Sequence, residues 1–214
     1  MGTFLHAALD AFLPTTCAGC GDACSGGAFA TWCAACGDTL PRSLWPIHPP
    51  PPQLASAWFY GAYDGPVGAA VRRAKYQPDE QALRDLGLRL ALASAGRLPG
   101  VDLVVPVPPM ARTALQRGVV PTAVLAHAVA HALHRPVHAI LRRRSGRRQA
   151  ELGREERAAN VQGAFQAVRT IEATRVLLID DVVTTGATAT ACARELLCAG
   201  ARSVHLVAVC AARG

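Results

Sequence analysis

The chain has 214 residues, 51% hydrophobic and 17% charged, with a net charge of +7. A chain of this size can bury a sizeable core, so its main body needs neither metal nor disulfides to fold. No apolar run reaches transmembrane length. The basic balance fits phosphorylated small molecules as well as nucleic acid.

Residues 3–13 carry Phe4, Leu5, Ala8, Leu9 and Phe12 at helical spacing, which predicts a short amphipathic helix packed on the body. The N-terminal stretch lacks a basic lead and is interrupted by Asp10, so it does not read as a secretory signal. The expected location is cytoplasmic.

Cys17-Ala-Gly-Cys20 and Cys33-Ala-Ala-Cys36 follow, separated by twelve residues. Two such pairs bring four thiolates to tetrahedral spacing, the donor set of a structural Zn²⁺ site. Gly21 and Gly37 fit the tight turns after each pair. Cys24 is a fifth cysteine able to compete as a ligand. A disulfide framework is the alternative, and the missing secretion signal disfavours it. Cys192, Cys198 and Cys210 sit in apolar contexts and read as core.

The proline-rich run 46–52 reads as a stiff linker with an exposed His48. It divides a small N-terminal unit, 1–48, from a main domain, 53–214. Residues 57–63 read as a strand running into a turn at Asp64-Gly65, then 67–76 as a helix with Arg72, Arg73 and Lys75 in its last turns. Those cations suit either a helix C-terminus or an anion. A second helix is expected over 81–95.

Residues 101–107 form an apolar strand ending in prolines. The next loop carries Arg112 and Arg117-Gly118, and a helix over 120–133 follows. Strand, cationic loop and helix make an anion-binding arrangement. Residues 141–157 hold seven arginines and three glutamates. They suit a basic lid, a nucleic-acid patch or a solvated loop. A short strand at 159–165 closes that segment, and 203–210 form a last strand.

The segment that organises the rest is VLLIDDVVTTGAT, residues 176–188. Residues 176–179 read as a strand buried on both faces. Asp180 and Asp181 follow in a loop, then Thr184, Thr185, Gly186, Ala187 and Thr188. A helix over 187–199 comes next, with Gly200 as its cap. A loop entering a helix N-terminus binds phosphate through free N–H groups and the helix dipole. Ionised carboxylates suit ribose hydroxyls or a metal ion. Together they describe a sugar-phosphate site. The spacing matches neither GxxxxGK[ST] nor GxGxxG.

This segment closely resembles the 5-phosphoribosyl-1-pyrophosphate (PRPP) signature of type I phosphoribosyltransferases. The resemblance implies Asp180 and Asp181 at the ribose hydroxyls and residues 184–188 around the 5-phosphate. Thr184 stands where 6-oxopurine salvage enzymes carry an Asp, which disfavours purine salvage and leaves no general base in the loop.

With the cysteine pairs, Pro106–Pro108, Gln116-Arg117-Gly118, Lys75-Tyr76 and the run from Gln149 to Arg157 with Asn160, Gly163 and Phe165, nearly the whole chain resembles the ComF/GntX family. That implies a zinc ribbon joined to an α/β phosphoribosyltransferase-type domain. A mostly parallel sheet, right-handed crossovers and a site at the strands' carboxyl ends are then expected. It also implies Mg²⁺ with PRPP, Arg112, Arg117 and Lys75 at the pyrophosphate, and transfer of phosphoribosyl to a nitrogenous acceptor. The family name suggests a role in DNA uptake, which implies as the alternative a PRPP sensor or a module contacting single-stranded DNA or a helicase-like partner. The family usually has RGFNQ where this chain has Arg117-Gly118-Val119-Val120-Pro121. Substrate choice and turnover are the properties that this departure touches.

Overall fold

The computed structural model describes residues 16–24, 30–76, 79–109, 118–144 and 163–212. The expected helix over 3–13, Arg112, Arg117 and residues 145–162 lie outside the described residues.

The elements in chain order are α1 (Ala34–Asp38), β1 (Trp45–Pro46), β2 (Ser56–Ala62), α2 (Pro66–Tyr76), α3 (Glu80–Ser94), β3 (Leu103–Pro106), α4 (Pro121–Leu133), β4 (Leu141–Arg143), β5 (Phe165–Ala167), β6 (Arg175–Val183), α5 (Ala187–Cys198) and β7 (Ser203–Ala211). Five strands form one sheet in the order β1-β2-β7-β6-β3. β2, β7, β6 and β3 run parallel, and only β1 is antiparallel. β4 and β5 make a separate antiparallel ribbon. This is the α/β fold, with a mostly parallel sheet and flanking helices, that the sequence implies.

The central strands are apolar without alternation because both faces are covered. In β6, Leu177 and Ile179 pack into the core beneath α2, α3 and α4, whereas Val176 and Leu178 pack into the core beneath α5 and the ribbon. Strand side chains alternate between faces, so one run of four residues serves two cores.

β6 is longer than the four apolar residues predict. Its ladder with β7 continues through Asp180, opposite Ala208, to Val183, opposite Ala211. Both aspartates therefore lie on the strand, and only 184–186 remain as loop. Val182 and Val183 supply the β-branched residues that extend the pairing. α5 ends at Ala199 and Gly200, where Ala201 N–H bonds Leu196 O and Gly200 N–H bonds Leu197 O. Gly200 has φ +105°, so this is a Schellman stop at the expected glycine.

The proline run is not a free spacer. Pro46 belongs to β1, Ile47 N–H donates to Ala57 O, and Pro51 is buried. His48 is exposed, as expected. Cys192 and Cys210 are core residues, but Cys198, on the outer side of the last turn of α5, is exposed. Among the described residues no helix is long and apolar enough to cross a membrane.

Candidate functional site

The carboxyl ends of β3 and β6 open onto a cavity of about 330 Å³. Its polar side is made by Lys75, Arg143, Asp180, Asp181 and Thr188, and the rest of its wall by valines, prolines and Thr122.

Asp180 is buried and Asp181 half-buried. Burial, then the neighbouring Asp181 charge, pushes the Asp180 carboxyl from its ordinary 3.8 up to about 8. Asp181 N–H donates to Asp180 Oδ1 at 2.9 Å and offsets part of that rise. Lys75, in the last turn of α2, places Nζ 3.2 Å from Asp181 Oδ2. The two carboxylates and the lysine thus form one cluster, contributed by two elements far apart in sequence.

The cations beside Lys75 are used elsewhere. Arg72 donates to Tyr63 O and stacks on the Tyr63 ring at 4.9 Å. Arg73 Nη1 donates to Cys17 O at 3.1 Å. Of the three basic residues ending α2, only Lys75 lines the cavity.

Thr184 and Thr185 are exposed at the loop, and Gly186 is the N-cap of α5 with φ +75°. A Cβ on Gly186 would lie 2.5 Å from Pro51 Cγ. The proline thus fills the space that the glycine leaves, so Gly186 admits a buttress rather than only an anion. Ala187 N–H meets Thr185 Oγ1 at a long 3.4 Å, and Thr188 reaches the cavity.

Arg143 was legible only as one of many arginines. It sits on β4 opposite Phe165, and its guanidinium lies 5.2 Å from the centre of that ring. Cation–π contact holds the charge at the cavity edge. A larger cavity, about 770 Å³, opens between α3 and α4 and contains none of these groups.

The second candidate centre lies at the N-terminal cysteines. The sulfurs of Cys17, Cys20, Cys33 and Cys36 all lie within 4.8 Å of one another, and Cys24 is not among them. Cys20 Sγ and Cys33 Sγ are 3.8 Å apart. Zinc–sulfur bonds of about 2.3 Å in a tetrahedron put sulfurs about 3.8 Å apart, so the donor set fits a metal such as zinc. Cys33 N–H points at Cys17 Sγ (3.3 Å) and Cys36 N–H at Cys33 Sγ (3.5 Å), as thiolates require. Burial pushes the Cys17 thiol up, but N–H groups of Cys33, Cys20 and Gly19 outweigh it and hold the thiol down to about 6. Gly21 takes φ +89° after the first pair. Gly37 lies within α1 and needs no such turn.

This cysteine module rests on the helices that lead to the cavity. Besides the Arg73–Cys17 bond, Trp32 Nε1 donates to Asp85 Oδ2 of α3 at 2.6 Å.

The DNA utilization protein YhgH of Salmonella typhimurium (strain LT2) is 30% identical over 146 residues, which are 67% of this chain. The chain belongs to the ComF/GntX family. It spans 60% of the length of that curated relative. No protein-family model matches this ComF/GntX chain. Among solved structures, a Bacillus subtilis glutamine PRPP amidotransferase bound to ADP and GMP is 26% identical, with a TM-score of 0.43, over 60% of this chain and 26% of that one. A Staphylococcus aureus hypoxanthine phosphoribosyltransferase is 15% identical, with a TM-score of 0.36, over 60% and 62% of the two chains.

Proposed function

We propose that this ComF/GntX protein binds PRPP with Mg²⁺ and transfers its phosphoribosyl group to a nitrogenous acceptor, releasing pyrophosphate. The observation that carries this reading is the cluster of Asp180, Asp181 and Lys75 on one cavity, beside the threonine loop that opens α5. In this reading, residues 53–214 form the reacting domain and 1–48 a zinc-binding unit.

Asp180 and Asp181 accept from the ribose hydroxyls and stabilise positive charge that develops on the ring. Thr184, Thr185, Gly186, Ala187 and Thr188 receive the 5-phosphate at the helix N-terminus. Lys75 passes from Asp181 to the pyrophosphate, joined by Arg112 and Arg117. Mg²⁺ bound together with PRPP would supply positive charge to offset the negative charge of the leaving pyrophosphate. Cys17, Cys20, Cys33 and Cys36 hold a structural Zn²⁺.

Thermal unfolding with PRPP and Mg²⁺ tests the reading. A ligand that binds only the folded state raises the midpoint by mass action. A rise with PRPP, larger than with ribose 5-phosphate or pyrophosphate alone, is the expected result. No rise at millimolar PRPP contradicts it.

The three consecutive arginines 142–144, of which Arg143 lines the cavity, favour a second reading, in which the domain senses PRPP without turnover or contacts single-stranded DNA in the uptake machinery. The relative's name, a DNA utilization protein, supports it. Oligonucleotide binding that falls steeply between 50 and 200 mM salt, on the order of 10³-fold or more for six phosphate contacts, would favour this alternative.

A further inference from the structure

We infer that Arg73 is a positioning residue of the PRPP site, through which the cysteine module holds Lys75 over the cavity. The inference rests on the phosphoribosyl-transfer reading and adds to it a control by the module over the pyrophosphate end of the site.

α2 meets the first cysteine pair along one stripe. Pro66, Ala70 and Arg73 are spaced four and three residues apart, which places them on one side of the helix over about 10.5 Å of its axis. Residues 17–21 lie along that stripe. A Cβ on Gly19 would come 3.1 Å from Pro66 Cβ, so the glycine lets the cysteine turn close on the start of α2. Ala18 is buried in the same apolar core as Ala70 and Ala74. At the far end, Arg73 Nη1 donates to Cys17 O at 3.1 Å, and its guanidinium fills the space where a Cβ on Gly21 would lie. The residue that carries the first thiol of the cluster thus holds the last turn of α2 by its carbonyl.

Lys75 stands in that same last turn, two residues on. Two residues turn an α-helix by about 200°, so Arg73 and Lys75 leave it on opposite sides. A hold on Arg73 is therefore a hold on the turn that aims Lys75, made without touching the ligand.

Helix ends open more readily than helix centres, because their last carbonyls lack partners within the helix. Two ties work against that opening here. Arg72 donates to Tyr63 O, inside the main domain. Arg73 donates to the cysteine module, and the folding of such modules is coupled to metal binding. The first tie is independent of the module, and the second follows its state. A ligand that needs Lys75 in place binds in proportion to the fraction of molecules that hold it there. Loosening one tie of two lowers that fraction without abolishing it.

The test is calorimetric titration of PRPP with Mg²⁺ on four zinc-loaded forms of the whole chain: wild type, Arg73→Met, Lys75→Met and the double variant. Arg73→Met is expected to keep its zinc, measured by atomic emission, and to weaken PRPP binding about threefold to tenfold, the size of one hydrogen bond's net contribution. In the Lys75→Met background the same change is expected to cost less than twofold, because the residue that Arg73 positions is gone. Arg73→Lys can still donate one bond to a carbonyl and is expected to stay within twofold of wild type. Stripping the metal from the wild type with a chelator, below the unfolding midpoint, is expected to weaken PRPP binding by the same factor as Arg73→Met. Stripping it from Lys75→Met is expected to change binding less than twofold.

Arg73→Met that binds PRPP as the wild type does overturns the inference. So does an equal loss with and without Lys75, which makes Arg73 a general support of the fold, and so does unchanged affinity after metal removal. The chelation arm uses the unsubstituted chain and decides the matter where Arg73→Met does not fold. Failure of the zinc-loaded wild type to bind PRPP is seen separately in the same titration and removes the underlying reading.

Discussion

Lys75 Nζ and Asp181 Oδ2 lie 3.2 Å apart, joining the last turn of α2 to the carboxyl end of β6. Hydrogen bonds to charged groups contribute about 1.5–3 kcal/mol. Replacing Lys75 by Met should therefore weaken PRPP binding by about tenfold to a hundredfold. The fold should survive, since the lysine side chain is about a third exposed. Equilibrium binding beside a circular-dichroism spectrum checks both parts. Unchanged PRPP affinity would remove Lys75 from the site.

Asp180 gives a pH prediction with a definite sign. Its folded value, raised to about 8, exceeds the ordinary 3.8, so between those limits the folded state holds a proton that the unfolded state has lost. Stability therefore falls as pH rises from about 4 to about 8 on account of this group. Asp180→Asn removes the buried charge, so the ligand-free variant should gain on wild type as pH rises. The gain at pH 8 should be at least about 1 kcal/mol, since a tenfold difference in proton affinity between the two states corresponds to about 1.4 kcal/mol. Urea midpoints at pH 5 and pH 8 measure it. A variant equally destabilised at both values would contradict the assignment.

Gly186 and Pro51 form a coupled pair. Gly186→Ala adds a Cβ 2.5 Å from Pro51 Cγ at a φ of +75°. The expected cost is about 1–3 kcal/mol from backbone strain alone, with a further steric part. Adding Pro51→Ala should recover the steric part and leave the strain. A double-mutant cycle in urea reads the coupling, and strict additivity would show that the proline does not buttress the loop.

Much of this fold was legible because two-face burial leaves unbroken apolar runs, as in residues 176–179 and 103–107. The threonine-glycine loop between β6 and α5 was legible because a helix entry of this kind fixes residue types locally. What stayed hidden was long-range. Nothing near Lys75 in the sequence names Asp181 as its partner, and nothing near Pro51 names Gly186. Arg72 and Arg73 looked equivalent to Lys75 until their carbonyl partners, Tyr63 and Cys17, came into view. The strand carried past Asp180 because its partner β7 is long enough to pair with it, a property of the sheet and not of the motif.

The cysteine module predicts selective metal loss. Cys17→Ser or Cys36→Ser should lose bound zinc, whereas Cys24→Ser should keep it, since Cys24 lies outside the cluster. Chelation of the wild-type protein should lower its unfolding midpoint by several degrees, because metal binding is coupled to folding of such units. Zinc content by atomic emission and thermal scans decide both. Loss of zinc in Cys24→Ser alone would reassign the ligand set.

The central claim is that Asp180 and Asp181 hold the ribose of PRPP. Calorimetric titration of PRPP in the presence of Mg²⁺, on wild type and on Asp180→Asn/Asp181→Asn, tests it most directly. The account predicts saturable binding in the micromolar range by the wild type, lost in the variant while the fold and zinc content persist. Absence of binding by a folded, zinc-replete wild type, or equal binding by the variant, would contradict it.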